Sequence, residues 1–296
     1  MSRFLILLLI ALMPLTCVAN GQQPKSYNLA VLDFQGESIT KKRWLELSHY
    51  LSDVLNAEVN FFPMKNEGII RRSDNFDMIL TNPISAVAIA ESKRHDIVAT
   101  LNHQKQGPRY AGVIIVHRDS PITTLEQLSG KSVGVINLKM AAGGFLFAAY
   151  ELVQMGMKPD PDFNHFTQIS NQVGIVKRVI GKQIDAGFIR TGMLNDIKEE
   201  QMQNVDISQL RILNKKTDIL PYPRSTDIYP HWGFLVSKNT SQAVREKIIR
   251  ALEQLTPANK VSKDAKINGF VNAFSGREYN KIKTLMLSLK VPPFDK

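Results

Sequence analysis

The sequence predicts a two-lobed α/β protein, each lobe a mainly parallel sheet flanked by helices. Short apolar strand runs alternate with helical segments from Tyr27 onward, and a second such set follows the first. Strands separated by helices imply right-handed βαβ units. The 296 residues, 44% hydrophobic and 22% charged, are an ordinary globular composition. They allow two lobes of roughly 100–150 residues, each able to bury its own core.

Residues 27–32 read as a buried strand, and Trp44, Leu47, Leu51, Val54 and Leu55 then fall at helical spacing behind a start signal at Ser38 and Thr40. Residues 58–62 and 76–80 are the next strands. Asn82-Pro83 gives an N-cap followed by proline at the first helical position, opening a helix over 84–92. Residues 97–101 close the first set. The second set starts with a strand over 112–117 and a short helix over 123–128 ended by Gly130. A strand over 132–136 and an apolar helix over 145–155, stopped at Gly156, follow. Asn171 caps a helix with Val173, Val176, Val179 and Ile180 on one face; residues 184–189 are a strand and 193–203 a helix. Near the end come a strand over 233–236 and helices from Ser241 and from about Arg277.

The N-terminus reads as an export signal. Arg3 precedes an unbroken apolar run from Phe4 to Leu12, and Cys17-Val18-Ala19 forms a signal-peptidase site, so residues 1–19 are expected to be removed and the protein to be periplasmic. Thr16 and Pro14 fit a lipidation signal at Cys17 poorly, and the apolar run is short for an anchor. Elsewhere no uncharged run reaches the ~18–20 residues of a spanning helix, which excludes a polytopic membrane protein.

Cys17 is the only cysteine, so the mature chain would have no disulfide, thiolate metal site or cysteine nucleophile. The six histidines show no metal-ligand pairing. No cofactor and no metal are expected. With 37 Lys+Arg against 27 Asp+Glu, the net charge of +10 favours anionic small molecules or surfaces. No basic tract interleaved with aromatics calls for nucleic acid.

Three strand-to-helix turns stand out: Asn82-Pro83, Ala141-Ala142-Gly143-Gly144 and Arg190-Thr191-Gly192. In open parallel sheets, ligands bind beyond the carboxyl ends of strands, where helix amides face outward. A glycine pair lets those amides approach a ligand with no Cβ in the way. Singly, each turn also reads as plain punctuation; together they read as the walls of an anion cleft.

The run from Tyr110 to Ile122 with Leu125-Glu126-Gln127-Leu128-Ser129-Gly130-Lys131 resembles the passage into the second lobe of type II periplasmic solute-binding proteins. Leu80-Thr81-Asn82-Pro83, the segment 156–163 and Asp185-Ala186-Gly187 are similar to the phosphate/phosphite/phosphonate-binding class. A finer similarity is to the periplasmic sensor domain of tetrathionate-responsive histidine kinases. It rests on residues 185–194, on Ser225-Thr226-Asp227-Ile228-Tyr229-Pro230-His231-Trp232 with His231 where an acid is usual, and on residues 279–289 with Pro292-Pro293.

The resemblance implies the periplasmic-binding-protein type II fold, its lobes joined by two crossing strands, with lobe 1 formed by residues 26–117 plus 228–296 and lobe 2 by 118–227. It implies a monomer that captures a small anion for an ABC permease, or alternatively a freestanding sensor that signals to a histidine kinase. An enzyme on the same fold and a structural envelope protein are the competing classes. No catalytic motif supports the former.

Ligand contacts are expected from Thr81 and Asn82 in the first lobe and from Lys139, Ala142, Gly143, Arg190 and Thr191 in the second. Asn82 also reads as a simple N-cap, and Arg190 as the partner of a surface carboxylate. Tyr110 and His231 sit near the crossings, where an aromatic either closes over a ligand or packs a hinge. Trp232 reads as core, and Asp185 as the residue that orients Arg190. The turn at 140–144 lacks the Ser/Thr hydroxyls usual in phosphonate binders, so ligand identity does not transfer.

Overall fold

The structure, a computed structural model, describes residues 26–157, 165–200, 205–272 and 277–295. The expected signal segment and Cys17, most of the 156–163 motif and the end of the predicted 193–203 helix lie outside the described residues. The first lobe is built from β1 (Tyr27–Leu32), α1 (Glu37–Leu55), β2 (Val59–Met64), α2 (Asn66–Arg71), β3 (Met78–Thr81), α3 (Pro83–Glu91) and β4 (His95–His103). The second holds β5 (Arg109–His117), β6 (Val133–Val135), α4 (Phe147–Gln154), β7 (Phe166–Gln168), α5 (Gln172–Ile180), β8 (Ala186–Arg190), α6 (Met193–Glu199), β9 (Leu210–Leu213) and β10 (Ile228–Pro230). The chain returns as β11 (Gly233–Ser237), α7 (Gln242–Glu253), α8 (Lys260–Ala265), β12 (Ile267–Asn272) and α9 (Arg277–Ser288).

The first sheet runs β12-β4-β11-β3-β1-β2, and the second β10-β5-β8-β6-β7 with β9 also on β5. Both are mixed rather than mainly parallel. β1 pairs parallel with β2 and β3, but the returning β11 inserts antiparallel between β3 and β4. In the second sheet β6 is parallel to β7 and β8, whereas β5 is antiparallel to β8, β9 and β10.

The sheets divide the chain before Arg109 and after Pro230, since β5 and β10 pair with each other in the second sheet. The expected boundaries at 117/118 and 227/228 therefore each assign a second-sheet strand to the first lobe. The actual crossings are residues 104–108 and 231–232. They run side by side, with His231 N donating to Pro108 O at 2.9 Å.

Side-chain alternation explains why these strands read as continuous apolar runs. In β1, Leu29 and Val31 pack with Leu47 and Leu51 of α1, while Ala30 and Leu32 face Ile79 and Ile89 on the other side. In β5, Val113 and Ile115 join Ile175 and Val179 of α5, while Ile114 and Val116 face the cluster containing Phe147. Each fully buried Leu, Ile or Phe contributes about 1.5–3 kcal/mol. α9 adds Ile282, Leu285 and Met286 to a core shared by Ile84 of α3 and Phe147 of α4, so it buries apolar surface from both lobes.

Local signals act where expected, with one exception. Asn82 Oδ1 accepts from Ser85 N at 3.0 Å and Asn171 Oδ1 from Gly174 N at 2.8 Å, both as N-caps. α1, however, starts at Glu37 behind Gly36, and neither Ser38 nor Thr40 caps it. Asp33 organises that start instead, accepting from Gly36 N at 2.7 Å and from Thr40 Oγ1 at 2.9 Å.

Candidate functional site

The crossings bring the carboxyl ends of β1, β3 and β4 opposite the end of β8 and the turn before α4. A cavity of about 180 Å³ lies between them. This is the crevice position that open α/β sheets favour. Of the nine expected contact residues, Asn82, Tyr110, Ala142, Gly143, Arg190 and His231 line it.

Thr81, Lys139 and Thr191 do not. Thr81 is fully buried at the end of β3, and its hydroxyl has no hydrogen-bond partner among the described residues. Lys139 is exposed, in a turn where Asn137 Oδ1 accepts from the backbone N–H groups of Lys139 and Met140 at 2.8 and 2.9 Å. Thr191 is buried, and its hydroxyl accepts from Ala111 N at 3.1 Å. The hydrogen-bond network sets the Gln106 amide so that it donates to Thr191 Oγ1 at 2.9 Å and accepts from Arg190 Nη1 at 3.2 Å. Thr191 thus ties the second lobe to the first crossing.

Asn82 caps α3, and its amide nitrogen donates to Asn66 Oδ1 at 3.0 Å and, across the cleft, to Met140 O at 3.3 Å. Both donors are engaged, so Asn82 works as a latch between lobes. Arg190 keeps its carboxylate partner and its place in the cavity together: Nη2 meets Asp196 Oδ2 at 2.6 Å and Nη1 donates to Thr191 O at 3.0 Å. Asp185 does not orient it. That carboxylate accepts from Ser132 N at 2.9 Å and Ser132 Oγ at 2.7 Å instead. The sequence signal for Asp196 was its position in the first turn of α6, directly after the strand that carries Arg190.

The turn before α4 is a π-helical segment, Ala142–Leu146. Its opening N–H groups have no intrahelical acceptor, so they are free donors at a dipole's positive end. The reason for glycine at 143 differs from the expected one. A Cβ there would sit 2.9 Å from Arg190 Cβ and 3.0 Å from Tyr110 Cε2. Glycine lets the turn seat against β8 and β5, and the close approach it permits is to protein rather than to ligand.

Sequence reasoning missed Arg43, Trp44, His103 and Gln106, and it placed Trp232 in the core; all five line the cavity. The trace of Arg43 was a cation one helical turn before Leu47, next to Trp44 on the buried stripe of α1. Trp44 and Trp232 stack at 6.5 Å between centroids, with Phe34 edge-on to Trp232 at 5.5 Å. On the other side of the crossing, His231 stacks on His103 at 5.5 Å and tilts against Tyr110 at 4.8 Å.

The electrostatics are one-sided. Burial, and then the nearby Arg190 guanidinium, lower the pKa of Arg43. His103 is pushed down to about 4, by burial first and then by Arg190 and Arg43. His231 is held well below the usual range by burial, then by His103, Arg190 and Arg43. Both imidazoles are therefore neutral near pH 7. His103 Nδ1 accepts from Lys105 N at 3.2 Å and His231 Nδ1 from Trp232 N at 2.9 Å, which leaves each ring proton on Nε2 as a donor. Among the described residues, no Asp or Glu lines the cavity. The site offers donors and positive charge, which suits an oxyanion.

Two mixed sheets with a crevice at the crossings define the type II periplasmic binding fold. The chain belongs to the family described as ABC transporter, phosphonate, periplasmic substrate-binding protein, which it matches over residues 29–279. It is 28% identical over 260 residues to the tetrathionate sensor histidine kinase TtrS of Salmonella typhimurium, covering 83% of this chain and 42% of that protein. It is 22% identical over 233 residues to the phosphonates-binding periplasmic protein of Escherichia coli, covering 77% of this chain and 65% of that one. The chain thus spans less than two thirds of the length of either relative. Among solved structures, PhnD1 of Prochlorococcus marinus in complex with methylphosphonate superposes with a TM-score of 0.66 at 16% identity, over 90% of this chain and 98% of that one. Among the described residues, no helix is long and apolar enough to cross a membrane.

Proposed function

We propose that this chain is a periplasmic solute-binding protein that captures a small oxyanion between its lobes and hands it to an ABC permease. The observation that carries the reading is the cavity at the crossings, lined by guanidinium, imidazole and amide donors with no carboxylate among them. Arg190 and the opening amides of the π-helical turn seat the anion from the second lobe, with the Nε2–H groups of His103 and His231 beside it. Binding biases an open–closed equilibrium about residues 104–108 and 231–232, and the closed form is what the membrane partner reads. Capture and release need no covalent step, which supports reading the protein as a carrier rather than an enzyme, and as a monomer.

The similarity to a sensor histidine kinase supports a second output for the same capture, in which the closed form signals to a kinase. Either output requires export, which the N-terminal segment is read to direct. The test is a thermal-shift screen of the mature protein against phosphate, phosphite, alkylphosphonates, sulfate, thiosulfate, tetrathionate and dicarboxylates. One class is expected to raise the melting temperature saturably, since a ligand that binds only the folded state stabilises it by mass action. A flat response across the panel would overturn anion capture.

A further inference from the structure

Gln106 is a polar side chain of the first crossing whose placement the capture of an anion does not by itself explain. It lines the cavity from within residues 104–108 and is only 6% exposed. A buried amide is costly unless its donors and its acceptor are met. Among the described residues, two consecutive ones of the second lobe meet it. The Gln106 nitrogen donates to Thr191 Oγ1 at 2.9 Å and to Thr191 O at 3.3 Å, and its oxygen accepts from Arg190 Nη1 at 3.2 Å.

Gly192 makes room for this arrangement. A Cβ there would stand 2.7 Å from the Gln106 amide, and the φ of +77° is one that a residue with a side chain rarely adopts. The turn after β8 is thus fitted to the crossing residue by residue: Arg190 and Thr191 bond the amide, and Gly192 clears its space. Lys105, the preceding residue, meets the partner of Arg190 in a similar way. Its Nζ pairs with Glu199 and lies 3.7 Å from Asp196 Oδ1, while Asp196 Oδ2 meets Arg190 Nη2 at 2.6 Å. Two consecutive side chains of the crossing therefore hold both members of the ion pair that aims Arg190. A rotation of the lobes about residues 104–108 moves those side chains against the end of β8, so it breaks the amide's bonds or turns the Arg190 fork with them.

We propose that Gln106 is a positioning residue that links the hinge to the anion seat. Arg190 presents its fork to the cavity at the hinge angle at which Gln106 bonds residues 190 and 191, and making those bonds is part of closing the lobes. This rests on the cleft being an anion-capture site. Linkage makes the coupling reciprocal: closed lobes preset Arg190, and an anion on Arg190 favours closed lobes.

The test reads lobe position in the unliganded mature protein. Trp44 and Trp232, the two tryptophans of the chain, both line the cavity, so acrylamide quenching of their fluorescence rises as the lobes open, and small-angle scattering gives the matching radius of gyration. Gln106→Met keeps the length of the side chain and removes its hydrogen bonds, a loss that shifts an open–closed equilibrium about tenfold toward open. Gln106→Asn, too short to reach both residues, should open the lobes as well and serves if the Met variant does not fold. Gln106→Glu keeps an acceptor for Arg190 Nη1 and for the Thr191 hydroxyl, and should return both readouts toward wild type. Arg190→Ala should open the lobes by itself, and combined with Gln106→Met it should add less than the sum of the two, as groups sharing one contact do. A lowered melting temperature with wild-type quenching in Gln106→Met and Gln106→Asn would make Gln106 a merely structural residue and overturn the proposal, as would strict additivity with Arg190→Ala. A flat anion screen beside the expected quenching pattern would overturn capture and leave the hinge link to Arg190 standing; a positive screen beside unchanged quenching would do the reverse.

Discussion

The two walls of the cleft solve the same electrostatic task in different ways. On the second-lobe wall, Arg190 is held by Asp196, by the Thr191 carbonyl and by Gln106 from the first crossing. Its charge is neutralised and its geometry set before any ligand arrives. On the first-lobe wall, Arg43 rests on one backbone carbonyl and stays partly desolvated. A preorganised group keeps its hydrogen bonds whether or not ligand is present, so it contributes orientation at little reorganisation cost. A group with no fixed charged partner contributes selectivity, because a ligand that supplies one is favoured over a ligand that does not. The comparison is between a rigid seat and a conditional one.

The sharpest way to break it is Arg190→Ala. That change removes the fixed fork and leaves the half-buried Asp196 beside Lys105, whose Nζ lies 3.7 Å away. The affinity of whichever anion emerges from the screen should fall about 100-fold, consistent with losing one or two hydrogen bonds to a charged group. Calorimetry decides it, and an unchanged affinity would remove Arg190 from the site.

A smaller effect is expected from Gly143→Ala, which perturbs the seat without touching charge. The new Cβ would lie 2.9 Å from Arg190 Cβ and 3.0 Å from Tyr110 Cε2, so β8, β5 or the turn must shift. Overpacking of this kind costs about 1–3 kcal/mol of stability. Denaturant unfolding should show that loss together with weaker anion binding, since the displaced atoms belong to Arg190 itself. Loss of stability with full affinity would show that the turn and the arginine are not mechanically linked.

How much of this was legible in the sequence follows the same division. Strands buried on both faces, such as β1 and β5, announce themselves as apolar runs. β7, β9 and β10 have three or four residues and no period to read, and α8 and β12 near the C-terminus were missed as well. Asn82, Gly143 and Arg190 were legible because each sits in a strand-to-helix turn, where local sequence implies an exposed end. Arg43, His103 and Gln106 were not, because they become neighbours only through the crossings. The sheet order has the same origin. Nothing local in residues 233–237 says that this strand will enter antiparallel between β3 and β4.

The smallest expected effect is the dependence of binding on pH, and it separates the two walls most cleanly. His103 stacks on His231, with Arg190, Arg43, Lys105 and Asp196 within electrostatic reach. Its pKa lies at about 4 in the folded protein against 6.5 for a free imidazole, so below about pH 6.5 the unfolded chain binds more protons than the folded one. The unliganded fold should therefore be most stable above that value and lose stability as pH falls toward 4. A bound anion offsets the Arg190 and Arg43 charges that help depress this pKa, so it favours the imidazolium. Binding at pH 5 should then take up a fraction of a proton and be a few-fold tighter than at pH 7, for a ligand whose own charge is constant over that range. Titrations in buffers of different ionisation enthalpy measure the uptake. His103→Gln should abolish it. If the pH dependence instead vanished only in Arg43→Gln, the conditional wall alone would be coupled to the histidines, and the fixed wall would hold its anion independently of pH.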